Sequence, residues 1–188
     1  MVLSILYINK AGRMNTIKHM DFWFEKPPGS FIIEQELALL DELLPLMTGD
    51  VLLQIGGPSH LKLVGRSSIT HKIYCSIDGA ATLDVPTFEA DVNQLPLQQS
   101  CLDCVVMIHT LAYAKNPRQV LEKLAWSMKP GAKLVLFGFN KHSLWGFAKI
   151  SRDKTRFPRG GEFHPPGRVK KWVADVGLQL IAEKQICF

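Results

Sequence analysis

Leu102-Asp103-Cys104-Val105-Val106-Met107-Ile108 is an almost continuously apolar run. A strand wet on one face alternates, so this one reads as covered on both faces, the mark of a parallel sheet. Downstream, Asn116-Pro117 places a capping side chain and a proline where a helix begins. Val120, Leu121, Leu124 and Met128 form that helix's apolar stripe, Lys129-Pro130-Gly131 stops it, and Lys133–Gly138 reads as the next strand. Upstream lie three more strand candidates: Val51–Ile55, Lys72–Ile77 ending at Asp78-Gly79, and the shorter Thr87–Ala90. Before them, Pro27-Pro28-Gly29 closes an irregular N-terminal segment (1–29), and Ser30 is placed to cap a helix over Phe31–Leu46. Ile33, Leu37, Leu40 and Leu44 predict its buried face, with Glu34, Glu36, Asp41 and Glu42 on the wet one. The tail predicts a helix over Arg168–Val176 and a last strand over Leu178–Ile186. Strands alternating with helices through short connections give an α/β fold, with a mostly parallel sheet and helices on both faces.

At 188 residues, 47% hydrophobic and 21% charged, the chain suits one folded domain over residues 1–188. Four cysteines (Cys75, Cys101, Cys104, Cys187) make no disulfide framework, which favours a reducing compartment. No apolar run reaches the roughly 18–20 residues of a membrane span. Met1–Ile8 is apolar, but no basic residue precedes it and no small-residue cleavage site follows. The expected location is therefore the cytoplasm; an over-long start, with Met14 or Met20 as the initiator, is an equal reading of that segment. The net charge of +5 is concentrated: Lys141–Lys171 carries +7 and the rest of the chain −2.

In an open parallel sheet, ligands bind beyond the carboxyl ends of the strands. There this sequence places Gly56-Gly57 after the first strand, Asp78 after the second, Asp91 after the third and His109 after the fourth. Glycine lets a backbone approach a ligand closely, and a carboxylate such as Asp78 can accept both hydroxyls of a ribose. Each residue alone has an ordinary explanation as a turn or a solvated loop. Their shared edge is what marks a site.

Glu89-Ala90-Asp91-Val92-Asn93-Gln94-Leu95-Pro96-Leu97, followed by Ser100-Cys101-Leu102-Asp103-Cys104-Val105-Val106, resembles a pattern of the class I S-adenosylmethionine-dependent methyltransferases (type 11-like). Asn116–Leu124 and Met128-Lys129-Pro130-Gly131-Ala132 are similar to that pattern's continuation, so the likeness spans about Val51–Phe137. Gly138-Phe139-Asn140-Lys141-His142-Ser143-Leu144-Trp145-Gly146, with Trp23-Phe24 and Pro28-Gly29, resembles a proteobacterial group of small methyltransferase-domain proteins whose phrase is G-F-N-P-x-S-L-W-G. The resemblance implies a Rossmann-like fold and S-adenosylmethionine as cofactor. It further implies Gly56 and Gly57 against the methionine part, Asp78 on the ribose, Asp91 on the adenine amino group with the Val92 backbone beside the ring, and His109 bordering the methyl-transfer cleft. Two positions depart from the family: Gln54 stands where an acidic residue is usual, and Pro58 where a glycine is. They keep open a second reading, a methyltransferase-like binding or scaffold protein without catalysis.

His109 is the residue whose ordinary titration range suits a general base, although packing or cofactor contact also explains it. Cys101 and Cys104, three apart on one strand, point to opposite faces and cannot readily share a metal. Gly56-Gly57-Pro58-Ser59-His60 lacks the G-x-G-x-x-G of dinucleotide enzymes. The basic segment 141–171, interleaved with Trp145, Phe147, Phe157, Phe163 and Trp172, follows the fifth strand as a substrate-side insertion. An anionic methyl acceptor, a nucleic acid or a membrane surface would suit it; a solvated face with inward aromatics is the simpler account. The methyltransferase fold ends in a strand 6–7 hairpin, and this chain offers a single strand there. Truncation, a six-stranded sheet, or a homodimer completing an open edge are the three readings of that ending.

Overall fold

A computed structural model of the chain describes residues 24–27, 29–57, 66–77, 85–140, 162 and 164–184. Its elements run α1 (Gly29–Leu43), β1 (Val51–Gly56), β2 (His71–Ser76), β3 (Thr87–Glu89), β4 (Leu102–Ile108), α2 (Pro117–Ser127), β5 (Met128–Phe137) and α3 (Pro166–Asp175). The five strands form one sheet in the order β3-β2-β1-β4-β5, every pairing parallel.

The pleat sorts the two central strands onto two cores. Leu53, Ile55, Val105 and Met107 face α2 and α3 through Val120, Leu121, Leu124 and Val169. The alternate residues Leu52, Cys104, Val106 and Ile108 face α1 through Leu40, with Leu44 and Met47 just beyond it. Both faces are covered, which is why β1 and β4 are apolar at nearly every position, Gln54 and Asp103 excepted. Cys101 packs on the first face and Cys104 on the second.

Several sequence expectations are corrected. Ser30 lies inside the first turn of α1 rather than before it, because helical backbone starts at Gly29, and the Ser30 N–H donates to the Lys26 carbonyl at 3.0 Å. Glu36, predicted wet, is 2% exposed on the buried face of α1. Lys129-Pro130-Gly131 does not separate α2 from β5. Met128 already pairs with Leu102, and the intervening residues bulge out before Lys133 rejoins opposite Cys104. Gly131, at φ +81°, supplies the bend. The cap at Asn116 is as read: its side chain accepts the Gln119 N–H at 3.3 Å.

The expected strand over Leu178–Ile186 is also corrected: residues 178–184 contain no strand, and the rest lies outside the described residues. The Leu178 N–H donates to the Val173 carbonyl, closing α3, and Ile181 is 86% exposed. The segment is tethered by ion pairs, Glu183 to Lys170 and Lys184 to Glu42, instead of ladder bonds. Most of the basic stretch, 141–161 and 163, falls outside the described residues. Of its aromatics, Trp172 packs against the core as the simpler account expects.

Candidate functional site

The order of the strands reverses between β1 and β4, neighbours in space with two strands between them in sequence. Ligands of open α/β sheets bind at such a point. Gly56 pairs with Ile108, so Gly57 and His109 leave the sheet side by side. Gly56 and Gly57 have φ of +66° and +93°, conformations that glycine adopts at little cost. A Cβ on Gly56 would lie 2.3 Å from Thr110 Oγ1, and one on Gly57 would meet Ile108 Cδ1 at 3.0 Å and Gln54 Nε2 at 3.3 Å. The Thr110 hydroxyl sits 2.9 Å from the carbonyl oxygens of both Ile55 and Ile108, stitching the two strand ends together. Tyr74 reaches across from β2, its hydroxyl 3.4 Å from the Gly57 carbonyl oxygen.

Gln54 is fully buried beneath this turn. Its Nε2 donates to the Gly56 carbonyl at 2.9 Å, while its Oε1 has no hydrogen-bond partner among the described residues. An unmatched buried acceptor costs about 1–3 kcal/mol. A bound group carrying N–H donors would remove that cost. The glycine turn and this acceptor therefore fit the amino-acid end of an S-adenosylmethionine molecule, even though glutamine brings no charge to it.

His109 begins where β4 ends, in the left-handed region at φ +53°. For a non-glycine residue that conformation costs about 1–2 kcal/mol and persists only where surrounding contacts impose it. Four contacts do so here. The His109 N–H donates to the Phe137 carbonyl at 2.9 Å. Its ring stacks on Phe139 with centroids 4.0 Å apart and lies 5.5 Å from Phe24. Its Nε2 is 3.0 Å from Glu36 Oε2, both side chains almost wholly buried. Nδ1 has no partner among the described residues. Beside the ring is a cavity of about 10 Å³ bordered by Phe137, Gly138 and His164.

Asp91 and Val92 follow β3 at the same sheet edge. The Asp91 carboxylate accepts from the Asn93 backbone N–H at 2.8 Å and from Asn93 Nδ2 at 2.6 Å, capping the short 3-10 turn Val92–Gln94. Val92 is buried within the core. Asp78 lies outside the described residues. Of the expected site residues, the sheet thus brings Gly56, Gly57 and His109 directly together and sets Asp91 and Val92 two strands away. Burial pushes the Cys75 thiol up to about 12, which rules it out as a thiolate nucleophile.

Glu36 and His164 are the residues of this region that the sequence did not single out. Glu36 stands three residues after Ile33 and four before Leu40, inside the apolar stripe; a lone carboxylate at that register is the signal that could have exposed it. His164 is buried edge-on against Trp172, with ring centroids 4.9 Å apart, and nothing in its spacing announces it.

Residues 72–136 match the family model of a methyltransferase domain. The fold is that of a methyltransferase. A Haloferax volcanii methyltransferase, in complex with the Trm112 methyltransferase activator, superposes with a TM-score of 0.62 at 17% identity, covering 87% of this chain and 76% of that one. The Haemonchus contortus phosphoethanolamine N-methyltransferase 2, bound to S-adenosyl-L-methionine, gives 0.58 at 17% identity over 86% of this chain and 40% of that one. A SAM-dependent methyltransferase from Aquifex aeolicus gives 0.53 at 20% identity over 75% and 78%. By sequence, the chain is 25% identical over 135 residues to the uncharacterized protein YafS of Escherichia coli (strain K12), covering 72% of this chain and 55% of YafS. The chain spans about half the length of that relative. The switch point of this methyltransferase fold is the place where Gly56, Gly57, Gln54 and His109 meet.

Proposed function

We propose that the protein is an S-adenosylmethionine-dependent methyltransferase. The observation that carries this reading is the β1–β4 switch point: two left-handed glycines over a buried Gln54 acceptor without a partner among the described residues, beside a histidine held in a strained conformation. Gln54, Gly56 and Gly57 would hold the methionine part, Asp78 the ribose, Asp91 and the Val92 backbone the adenine. When bound, the cofactor supplies a methyl group activated on a sulfonium. The chain's own task is to orient an acceptor in line with that methyl and exclude water. His109 borders the cleft in this arrangement.

Calorimetry with S-adenosylmethionine tests the reading. Binding is expected, with Asp91→Ala weakening it by about ten- to a hundredfold, the loss of a charge-assisted hydrogen bond. Because Asp91 also caps a turn, circular dichroism of the variant must match the parent. A folded parent protein that fails to bind millimolar cofactor would end the enzyme reading. Tight binding of both cofactor and S-adenosylhomocysteine, with no methyl transfer to any acceptor, would instead favour the binding-protein reading, for which Gln54 in place of a carboxylate is the supporting feature.

A further inference from the structure

Two buried acceptors flank the switch point without partners among the described residues: Gln54 Oε1 at the end of β1 and His109 Nδ1 after β4. The first is absorbed by the reading above. The second depends on Glu36, which reaches His109 from α1, 73 positions earlier in sequence. A carboxylate only accepts hydrogen bonds, so with Glu36 ionised and the ring neutral the hydrogen between Nε2 and Oε2 is carried by Nε2, and Nδ1 keeps its lone pair. Stacking on Phe139 and the contact with Phe24 fix the plane of the ring. The buried pair thus holds one tautomer in one orientation, on a residue that follows β4 at the carboxyl edge of the sheet, with Nδ1 lacking a partner among the described residues.

We propose, resting on the methyltransferase reading, that Glu36 is a positioning residue for His109 and that His109 Nδ1 is the base that takes the proton of the methyl acceptor. The acceptor is then of the class whose nucleophilic atom carries both a lone pair and a proton, a hydroxyl or an uncharged amine N–H. Its lone pair displaces sulfur from the methyl carbon, the electrons of the broken carbon–sulfur bond stay on sulfur, and its proton passes to Nδ1. Glu36 stabilises the resulting imidazolium through Nε2–H, as a buried carboxylate does for a catalytic histidine. The proton leaves to water once the methylated product departs.

The test uses the full chain labelled with ¹⁵N-histidine, S-adenosylmethionine as the probe, and calorimetry alongside. In the parent protein His109 is expected to show protonated Nε2 and bare Nδ1, with the Nδ1 resonance moving on cofactor binding and Nε2 nearly still. In Glu36→Gln the amide can either accept or donate, so the two tautomers mix, while cofactor affinity stays within about threefold of the parent because Glu36 is not a cofactor contact. A merely structural Glu36 would leave Nδ1 indifferent to cofactor. That result, or an Nδ1-protonated tautomer in the parent, overturns the dyad while leaving cofactor binding intact. Failure of the parent protein to bind cofactor overturns both, and calorimetry tells the two failures apart. The parent tautomer is decisive even if Glu36→Gln does not fold.

Discussion

Replacing Asp103 with alanine should destabilise the protein without touching the site, because Asp103 latches the opposite, amino-terminal edge of the sheet. Its Oδ2 accepts the backbone N–H groups of Asp50 and Val51 at 3.0 Å each and the Lys129 ammonium at 2.8 Å. The chain reversal before β1 is pressed against it: a Cβ on Gly49 would fall 2.3 Å from Asp103 Cβ. Hydrogen bonds to a charged group contribute about 1.5–3 kcal/mol each. Val51 is half-buried and counts nearly in full; Asp50 is exposed, and water replaces much of its bond. The Lys129 ammonium lies at the surface, where solvent screening leaves its contact little net contribution. The expected loss is about 2–4 kcal/mol, or roughly 5–12 °C in Tm for a chain of this size. The effect depends on pH in a fixed direction. The Lys129 hydrogen bond above all, aided by the Val51 and Asp50 N–H groups and opposed by desolvation, holds the Asp103 carboxyl below its ordinary 3.8. A carboxyl lowered by folding stabilises fully above its unfolded value, and that stability is lost as pH falls through the folded value. The gap between parent and Asp103→Ala, measured by urea denaturation followed by circular dichroism, should therefore be full at pH 7 and narrow below about pH 4. A gap under about 0.5 kcal/mol at pH 7, or one that widens on acidification, refutes the latch.

Gly56→Ala should cost about 2–4 kcal/mol from its left-handed backbone and the contact with Thr110 Oγ1. Adding Thr110→Ala removes the obstructing oxygen, so the double variant should be less destabilised than the sum of the singles; strict additivity in denaturation would show that the contact does not matter. Cys75, buried with its thiol raised to about 12, should resist alkylation at pH 8 in the native protein and react on unfolding. Site-resolved mass spectrometry reads this, and native labelling of Cys75 as fast as a free thiol would contradict its burial.

The strands were legible because their signals are local. Leu102–Ile108 is apolar at every position but one, and a glycine pair follows Val51–Ile55; period and chain breakers need no knowledge of partners. The same locality placed His109 at a strand end and Asn116 at a helix start. It misled at Glu36, because charge by itself predicts solvent. It also misled at Leu178–Lys184, whose apolar residues suggest a strand while the segment is held by ion pairs instead. Asp103 stood within the family pattern, yet nothing in the run showed that it reaches back 52 positions to the start of β1.

The sequence by itself determined the α/β alternation, the parallel sheet, the glycine turn and the edge on which a ligand would lie, since each follows from periodicity and from the conformations that glycine and proline allow. Only the tertiary structure decided that β1 and β4 are neighbours, and that Glu36 is buried against His109. A carboxylate is tolerated in a core when a hydrogen-bonding partner meets it there. That partner comes from a strand end 73 residues away, a distance that no local pattern spans.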